Sequence, residues 1–359
     1  MKSRLFYSVL VLMVGVAFAI SGSAQNSRTQ FSGTIGNGKV EMDIARDGGN
    51  LSGNYYYRKS GSANKLTLKG TIASDGSFTM QESDASGKLT GEFKGKWSEE
   101  SYDPGASLDG TWNKPGKPDD PQTFWAFEQA VYFTTTKVTT REYTENVKLK
   151  KADLSAEYPE LSGNANGAGF NALAKARVMQ HLADFKKDLS TLTAAEVRQM
   201  GKDMGNYIDV GYNIEYADDE LISVSFGEDT FEGGAHPNHD FFTLTYDLKN
   251  GREVTLADLF KPGAKYLTKI AAYAKKDLQG RKDPETGESL ELATDLWEDG
   301  IKPTAANFKD WNLTKKGLLF TFPPYQIASY AEGPQSMIVP FAELKSLAKA
   351  DGAMSRVRN

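Results

Sequence analysis

A short pattern with a central glycine recurs along the first third of the chain and constrains its fold. An apolar residue, any residue, glycine, any residue and a second apolar residue follow one another at residues 31–35, 51–55, 68–72, 89–93 and 108–112. The central glycines are 17 to 21 residues apart, which is about the length of a hairpin of two strands and two turns. The repeat therefore predicts a domain built from successive β-hairpins.

Turn signals between these repeats favour a curled sheet. Asp-Gly and Ser-Gly pairs separate the apolar runs, and the chain can reverse at such pairs. A glycine inside each strand suits the bend of a tightly curled sheet. We predict a meander of about eight strands that forms a small barrel or sandwich. The strand pattern includes three consecutive tyrosines, Tyr55, Tyr56 and Tyr57, and we expect alternate rings to lie in the core. Binding of a ligand at the mouth of the barrel is the alternative.

Composition narrows the classes of function. The 359 residues include no cysteine and only three histidines, which excludes disulfide scaffolds, thiolate metal sites and cysteine nucleophiles. The formal net charge of −5 and the pI near 5.5 argue against nucleic acid as the main partner. We predict no cofactor.

The first 24 residues have the pattern of a signal peptide. Lys2 and Arg4 precede an uncharged run at residues 5–20, and Gly22-Ser23-Ala24 form a small-residue cleavage site. The run is short for a membrane span, although an uncleaved anchor is the alternative. We predict a periplasmic or secreted protein with no membrane span after cleavage.

Composition also predicts the domain boundaries. Residues 114–122 contain three prolines and a glycine, which is typical of a semi-rigid linker. We therefore predict a signal peptide at 1–24, a Gly-rich β domain at 25–113 and a linker at 114–122. A companion α+β domain at 123–230, a C-terminal domain at 231–348 and a polar tail at 349–359 follow.

The C-terminal two thirds alternate between strand and helix patterns. An apolar stripe at helical spacing runs from Phe170 to Leu189, and a second helix is predicted at residues 264–278. Several β-like runs surround these helices. We predict an α+β fold in which amphipathic helices pack on one face of an antiparallel sheet. His181 lies beside the first stripe, where a packing role is favoured over catalysis.

Two loops carry the candidate binding residues. The stretch 229–240 holds two of the three histidines, several acids and a Gly-Gly pair, and 323–334 is a proline-bounded loop with two tyrosines. Gly-Gly permits a tight backbone path, which favours a structural role for this loop. Ligand recognition and metal or catalytic chemistry are the alternatives. The spacing of the histidines differs from that of helical zinc motifs, and we predict neither catalytic residues nor metal ligands. The candidate binding residues are Glu232, Gly233, Gly234, His236, His239, Asp240, Tyr325 and Tyr330.

The same loops carry a family resemblance. Gly233-Gly234-Ala235-His236, the run at 242–260 and the later Pro324-Tyr325 and Gly333-Pro334 pairs resemble a bacterial extracytoplasmic domain of unknown function. That domain occurs in the ectodomains of RsiV-type anti-sigma factors and in the non-catalytic part of PdaC-type peptidoglycan deacetylases. The preceding residues, about 130–230, are similar to the companion domain of the same proteins.

The resemblance implies an α+β fold outside the cell membrane and a binding role, because RsiV-type ectodomains capture lysozyme. It transfers no catalytic residue, since the deacetylase domain needs a His-x-x-x-His pair and this chain has His236-x-x-His239. Anti-sigma activity would also need a cytoplasmic segment and a membrane span, which we do not expect in the mature chain.

We therefore expect an exported, non-enzymatic binding protein of the bacterial envelope. Its partner is expected to be a cell-wall glycan or a wall-acting protein such as lysozyme. The alternative is an envelope hydrolase that uses the His236–His239 loop, with or without a metal. A third hypothesis places the ligand in the N-terminal barrel, with the rest of the chain as scaffold.

Overall fold

A computed structural model of the chain describes residues 27–99, 104–117, 119–199, 205–282 and 286–358. The predicted signal peptide lies outside these residues. Within them, buried apolar side chains form three clusters. One cluster fills an N-terminal barrel, one lies between a six-stranded sheet and a long helix, and one surrounds a three-stranded sheet.

The N-terminal part is a closed barrel in which each strand is antiparallel to its neighbours. Its strands are β1 (Ser27–Ile35), β2 (Gly38–Asp47), β3 (Asn50–Tyr57), β4 (Leu66–Ile72), β5 (Ser77–Ser83), β6 (Leu89–Ser98), β7 (Ser107–Asn113) and β8 (Gln122–Gln129). The strand glycines allow neighbouring strands to approach closely. A Cβ atom at Gly33 would lie 2.0 Å from the carbonyl oxygen of Trp125. The predicted small barrel of about eight strands is confirmed.

Side chains fill the interior of the barrel. Phe93 packs edge to face against both Tyr55 and Phe124, with ring centroids 5.7 and 5.0 Å apart. Tyr55 and Tyr57 belong to this core, whereas Tyr56 lies on the outer wall. The alternation expected for the three tyrosines is therefore observed, and the barrel core is packed with aromatic rings.

The proline-rich segment does not separate two domains. It connects β7 to β8, and β8 closes the barrel by pairing with both β7 and β1. The boundary predicted at residues 114–122 is therefore wrong, and the barrel extends to Gln129. Prolines suit a connection between strands as well as a linker, because both need backbone without ladder hydrogen bonds.

A six-stranded sheet forms the second part, in the order β14-β13-β12-β11-β10-β9. Its strands are β9 (Lys137–Val147), β10 (Ala152–Ser162), β11 (Asn206–Ala217), β12 (Leu221–Phe231), β13 (Asn238–Asp247) and β14 (Arg252–Glu253), and its helices are α1 (Gly167–Thr191) and α2 (Ala194–Gln199). Helix α1 buries the predicted stripe from Phe170 to Leu189 against this sheet. The sheet is not purely antiparallel as predicted, because β10 and β11 are parallel, and a parallel pair needs a crossover such as α1.

A three-stranded sheet with its own helices forms the third part. Its elements are α3 (Tyr266–Gln279), α4 (Glu291–Thr294), β15 (Trp311–Leu313), β16 (Gly317–Phe322), β17 (Gln335–Pro340) and α5 (Phe341–Leu344). Buried Ser223 of β12 joins the two sheets, since its Oγ accepts hydrogen bonds from Asn312 Nδ2 and from the Leu313 amide at 2.9 and 3.0 Å. The α+β class is confirmed, but α1 and α3 pack on different sheets.

Two more boundaries differ from the prediction. Strands β12 and β13 pair with each other, so the boundary at residues 230–231 would cut a hairpin. The C-terminal segment is not a polar tail, because Ala353 and Met354 are buried and Arg356 pairs with buried Asp247. In the described part of the chain, no helix has both the length and the apolar character needed to span a bilayer.

Candidate functional site

The Gly-Gly pair makes the turn between β12 and β13. Gly233 and Gly234 have φ angles of 93° and 111°, in a region where a Cβ atom clashes with the backbone. Glycine is therefore required here for its backbone conformation. Glu232 precedes the turn, and burial raises the pKa of its carboxyl, with the negative charges of Asp188 and Glu228 adding to the effect.

His236 is held against a tyrosine that comes from the third part of the chain. The rings of His236 and Tyr330 stack with centroids 3.8 Å apart. Two donors converge on the carbonyl oxygen of Pro237: the Tyr330 hydroxyl at 2.6 Å and the His236 Nδ1 atom at 2.8 Å. A loop of the six-stranded sheet is thus fixed to the proline-bounded loop that follows β16.

His239 lies next to this pair and contacts an acid on the neighbouring strand. Asp229 and His239 are register partners on β12 and β13, and His239 Nδ1 contacts Asp229 Oδ1. The ring of His239 is 6.0 Å from that of Tyr330. Side chains directly opposite each other on one sheet face can pair in this way. Asp229 was not among the candidates, although the strand register would have paired it with His239.

Tyr325 is the exposed member of the group. Its side chain is 55% exposed, its ring lies 5.7 Å from that of Tyr330 and its φ is 68°. A tyrosine rarely occupies this left-handed region, and such strain concentrates at functional sites. The next residue holds the backbone in place, because Gln326 Nε2 donates to the carbonyls of Gly300 and Asn307 at 3.0 and 2.9 Å.

The structure therefore brings four of the predicted residues together. We name the group His236, His239, Tyr325 and Tyr330 the histidine–tyrosine surface. Asp240 is not part of it, because adjacent residues of a strand alternate between faces and His239 occupies the other face. Asp240 instead opposes Glu228 in the register of β12 and β13, and its carboxylate accepts a hydrogen bond from the Phe241 amide.

A second histidine–carboxylate pair connects helix α1 to strand β12. His181 stacks on Phe242 with centroids 3.9 Å apart, and its Nδ1 atom is 2.6 Å from Glu228 Oε2. The packing role predicted for His181 is consistent with this stacking. Asp310 lies nearby and was missed by the sequence reasoning. Burial raises its pKa to about 6, and the charge of Asp240 adds to the rise, whereas Lys309 and His181 oppose it.

The histidine–tyrosine surface carries groups that can contact a partner. It presents aromatic ring faces, a tyrosine hydroxyl and imidazole nitrogens, which contact partners through packing and hydrogen bonds. Among the described residues, no group of three or more histidine, aspartate or glutamate side chains is placed to hold a metal ion.

Comparison with known proteins identifies similar domains in the C-terminal two thirds. Residues 145–239 match the family model described as deacetylase PdaC, and residues 257–342 match one described as a protein of unknown function, DUF3298. His236 and His239 lie in the first match, and Tyr325 and Tyr330 lie in the second. The barrel lies outside both matches.

Similar individual proteins cover the same region. The peptidoglycan-N-acetylmuramic acid deacetylase PdaC of Bacillus subtilis is 24% identical over 200 residues, which are 56% of this chain and 40% of that protein. The immunogenic protein MPB64 of Mycobacterium bovis is 24% identical over 115 residues, which are 32% of this chain and 46% of that protein. The chain thus spans less than half the length of these curated relatives. A crystal structure of a DUF3298 family member from Bacteroides fragilis covers 60% of this chain and 94% of its own, with 17% identity and a TM-score of 0.45.

Proposed function

We propose that this chain, which carries a DUF3298/PdaC-type region after its N-terminal barrel, is an exported, non-enzymatic binding protein of the bacterial envelope. Its histidine–tyrosine surface would recognise a wall-acting protein such as lysozyme, with the wall glycan itself as the second partner to test. One observation carries this proposal. Tyr325 presents an exposed ring on a backbone held in the left-handed region.

The arrangement of this surface suits a binding hot spot. Tyrosine is enriched at the centre of interfaces because it offers a large contact area at low entropic cost. Tyr330 packs between Tyr325 and His236, so the exposed ring of Tyr325 is supported by an ordered aromatic pair. A preorganised surface loses less conformational entropy on binding than a mobile loop.

The hydrolase alternative rests on the contact between His239 and Asp229. A carboxylate at Nδ1 orients an imidazole and leaves Nε2 free for proton transfer. A hydrolase at this position would lose its activity in His239→Ala, whereas a binding surface would lose affinity without any turnover to measure. Release of acetate or of soluble fragments from purified peptidoglycan by the wild-type chain would favour the alternative.

A retention assay tests the proposal. The chain without residues 1–24 is passed over immobilised lysozyme and, separately, over insoluble peptidoglycan. We expect retention on at least one of the two, and at least about a tenfold loss of affinity in Tyr325→Ala, as for a hot-spot residue.

The matched control is Phe127→Ala on the barrel, because Phe127 is 50% exposed and Tyr325 is 55% exposed. Retention on lysozyme should be unchanged in this control. A wild-type chain that binds neither matrix, or a Tyr325→Ala variant that binds as well as the wild type, would overturn the proposal.

A further inference from the structure

A cleft separates the outer wall of the barrel from the six-stranded sheet. It encloses about 580 Å³, and small-molecule sites usually enclose about 300–1,000 Å³. Tyr56 and Asn54 of β3 line its barrel side, and Tyr212 of β11 and Glu142 of β9 line its sheet side. None of the four residues of the histidine–tyrosine surface lines this cleft.

An ion-pair cluster fixes the width of this cleft. Arg58 donates to Glu41 and Ser32 of the barrel at 2.6 and 2.7 Å, and to Glu157 of the sheet at 2.9 Å. Lys39 of the barrel adds a second bond to Glu157 at 2.6 Å. The contacts to Glu157 are charge-assisted, and those of Arg58 are also partly buried, so they hold the two walls firmly.

The lining favours a ligand without net charge. Arg58 is matched by Glu41 and Glu157, and Asp43 is matched by Arg28 at 2.5 Å. The other two charged residues of the lining, Lys65 and Glu142, are opposite in sign. Burial raises the pKa of Glu41, while Arg58 opposes the rise. A strongly charged ligand would have to compete with these internal pairs. A ligand rich in hydroxyl and amide groups would instead use the amide of Asn54 and the rings of Tyr56 and Tyr212.

Two exposed aromatic rings lie beside the cleft. Trp125 and Phe127 are 43% and 50% exposed, and their ring centroids are 5.4 Å apart on the outer face of β8. Phe127 is the register partner of Ser32, which lines the cleft. We name Trp125 and Phe127 the barrel platform; its Phe127 end is adjacent to the cleft lining through Ser32.

The side chains that border the barrel platform are short and polar. Thr34 of β1 and Asp109 of β7 are the register partners of Trp125 on its two sides, and Ser107 opposes Phe127. Short neighbours leave the ring faces open and offer hydroxyl and carboxylate groups at their edges. Apolar ring faces with polar groups around them match a sugar, whose ring has C–H faces and a rim of hydroxyls.

We infer that the barrel platform and the cleft together bind an uncharged N-acetylated oligosaccharide, the chemical class of a cell-wall glycan strand. The rings of Trp125 and Phe127 would pack on sugar faces outside the cleft, and Asn54 and Tyr56 would contact the next units inside it. This site goes beyond the proposed function, because it uses none of the residues of the histidine–tyrosine surface.

Titration calorimetry with the hexamer of N-acetylglucosamine tests this inference on the chain without residues 1–24. We expect saturable binding, at least a tenfold loss of affinity in the double variant Trp125→Ala/Phe127→Ala, and a smaller loss in Asn54→Ala. Trp297→Ala is the matched control, because Trp297 is 44% exposed, close to the 43% of Trp125, and belongs to neither surface. This variant should bind the hexamer as the wild type does. Thermal unfolding of each variant shows whether the barrel is still folded.

Three outcomes would overturn the inference. They are an absence of saturable binding by the wild type, equal affinity in the folded double variant, and a barrel platform that is covered by a second copy. The last would appear in sedimentation as a dimer that the double variant converts to a monomer. Because retention on lysozyme is measured separately, failure here leaves the proposed function standing. A Tyr325→Ala variant that is retained on lysozyme as well as the wild type would overturn the proposed function and leave this inference standing.

Discussion

The two aromatic surfaces of this molecule are held in place in different ways. In the histidine–tyrosine surface, Tyr330 is fixed by stacking on His236 and by its hydroxyl bond to Pro237. In the barrel platform, Trp125 and Phe127 are successive outward residues of one strand, and the closed barrel behind β8 fixes their position. One surface depends on tertiary contacts between loops, and the other depends on the pleat of a sheet.

This difference determines how each surface can be disrupted. The bond between Tyr330 and Pro237 joins residues 93 positions apart and links segments from two separate cores. A single change in either loop should therefore alter the histidine–tyrosine surface. The barrel platform should change only when the barrel itself is weakened, because its rings have no such tether.

The largest effect is expected from a buried carboxylate inside the barrel. Glu82 is 2% exposed and accepts hydrogen bonds from Tyr55, Trp112 and Thr90 at 2.6, 2.7 and 2.6 Å. Glu82→Ala would leave these donors without their acceptor, and we expect a loss of about 3–5 kcal/mol in the free energy of unfolding of the barrel. Urea denaturation followed by tryptophan fluorescence measures this loss.

The control for this prediction is Thr90→Val, which removes one of the three donors and should cost only about 1 kcal/mol. In Glu82→Ala, binding of the sugar hexamer should weaken at moderate urea concentrations at which retention on lysozyme is still complete. Simultaneous loss of both activities would show that the two surfaces share one folding unit.

The second-largest effect depends on pH and concerns Asp310, a buried carboxylate outside the barrel. Asp310 is 6% exposed, and burial raises its pKa from the ordinary 3.8 to about 6. A raised pKa means that the folded state binds this proton more tightly than the unfolded state does. The resulting stabilisation is complete below about pH 3.8 and is lost as the pH rises through about 6.

Asp310→Asn should therefore stabilise the fold at pH 7 by about 2–3 kcal/mol, from about 1.4 kcal/mol per pKa unit, and by much less at pH 4. Thermal or urea unfolding at the two pH values gives the comparison. Asp109→Asn, at an exposed carboxylate of the barrel, is the matched control. An equal gain in the free energy of unfolding from Asp310→Asn at both pH values would contradict the raised pKa of Asp310.

Sequence patterns predict the barrel well because its strands are local and repetitive. Each hairpin pairs neighbouring segments, so the glycine repeat and the turn signals contain most of the required information. The closing strand is the exception. Gln122–Gln129 pairs with Ser27–Ile35, and its outward-facing Trp125 and Phe127 are recognisable as exposed only once that pairing is known.

The candidate site was predictable in composition but not in geometry. Clustering of His236 and His239 in one loop identified the region, and the tyrosines of the second loop were found separately. Nothing local indicates that Tyr330 stacks on His236, because the contact depends on how two sheets pack. Asp229 could have been paired with His239 from the hairpin register, whereas the burial of Asp310 is a tertiary property.

The smallest effect concerns the hydroxyl that fixes the histidine–tyrosine surface. Tyr330→Phe keeps the stacking on His236 but removes the bond to the Pro237 carbonyl, and one hydrogen bond contributes about 1 kcal/mol. His236 Nδ1 still contacts the same carbonyl at 2.8 Å, so the loop should loosen without unfolding. We expect retention on lysozyme to weaken about fivefold, while the affinity for the sugar hexamer stays unchanged.

Tyr325→Phe removes a hydroxyl from the exposed neighbouring ring and is the matched control. An equal loss in both variants would mean that the hydroxyls contact the partner directly, and that the two surfaces differ less in how they are held than their geometry indicates.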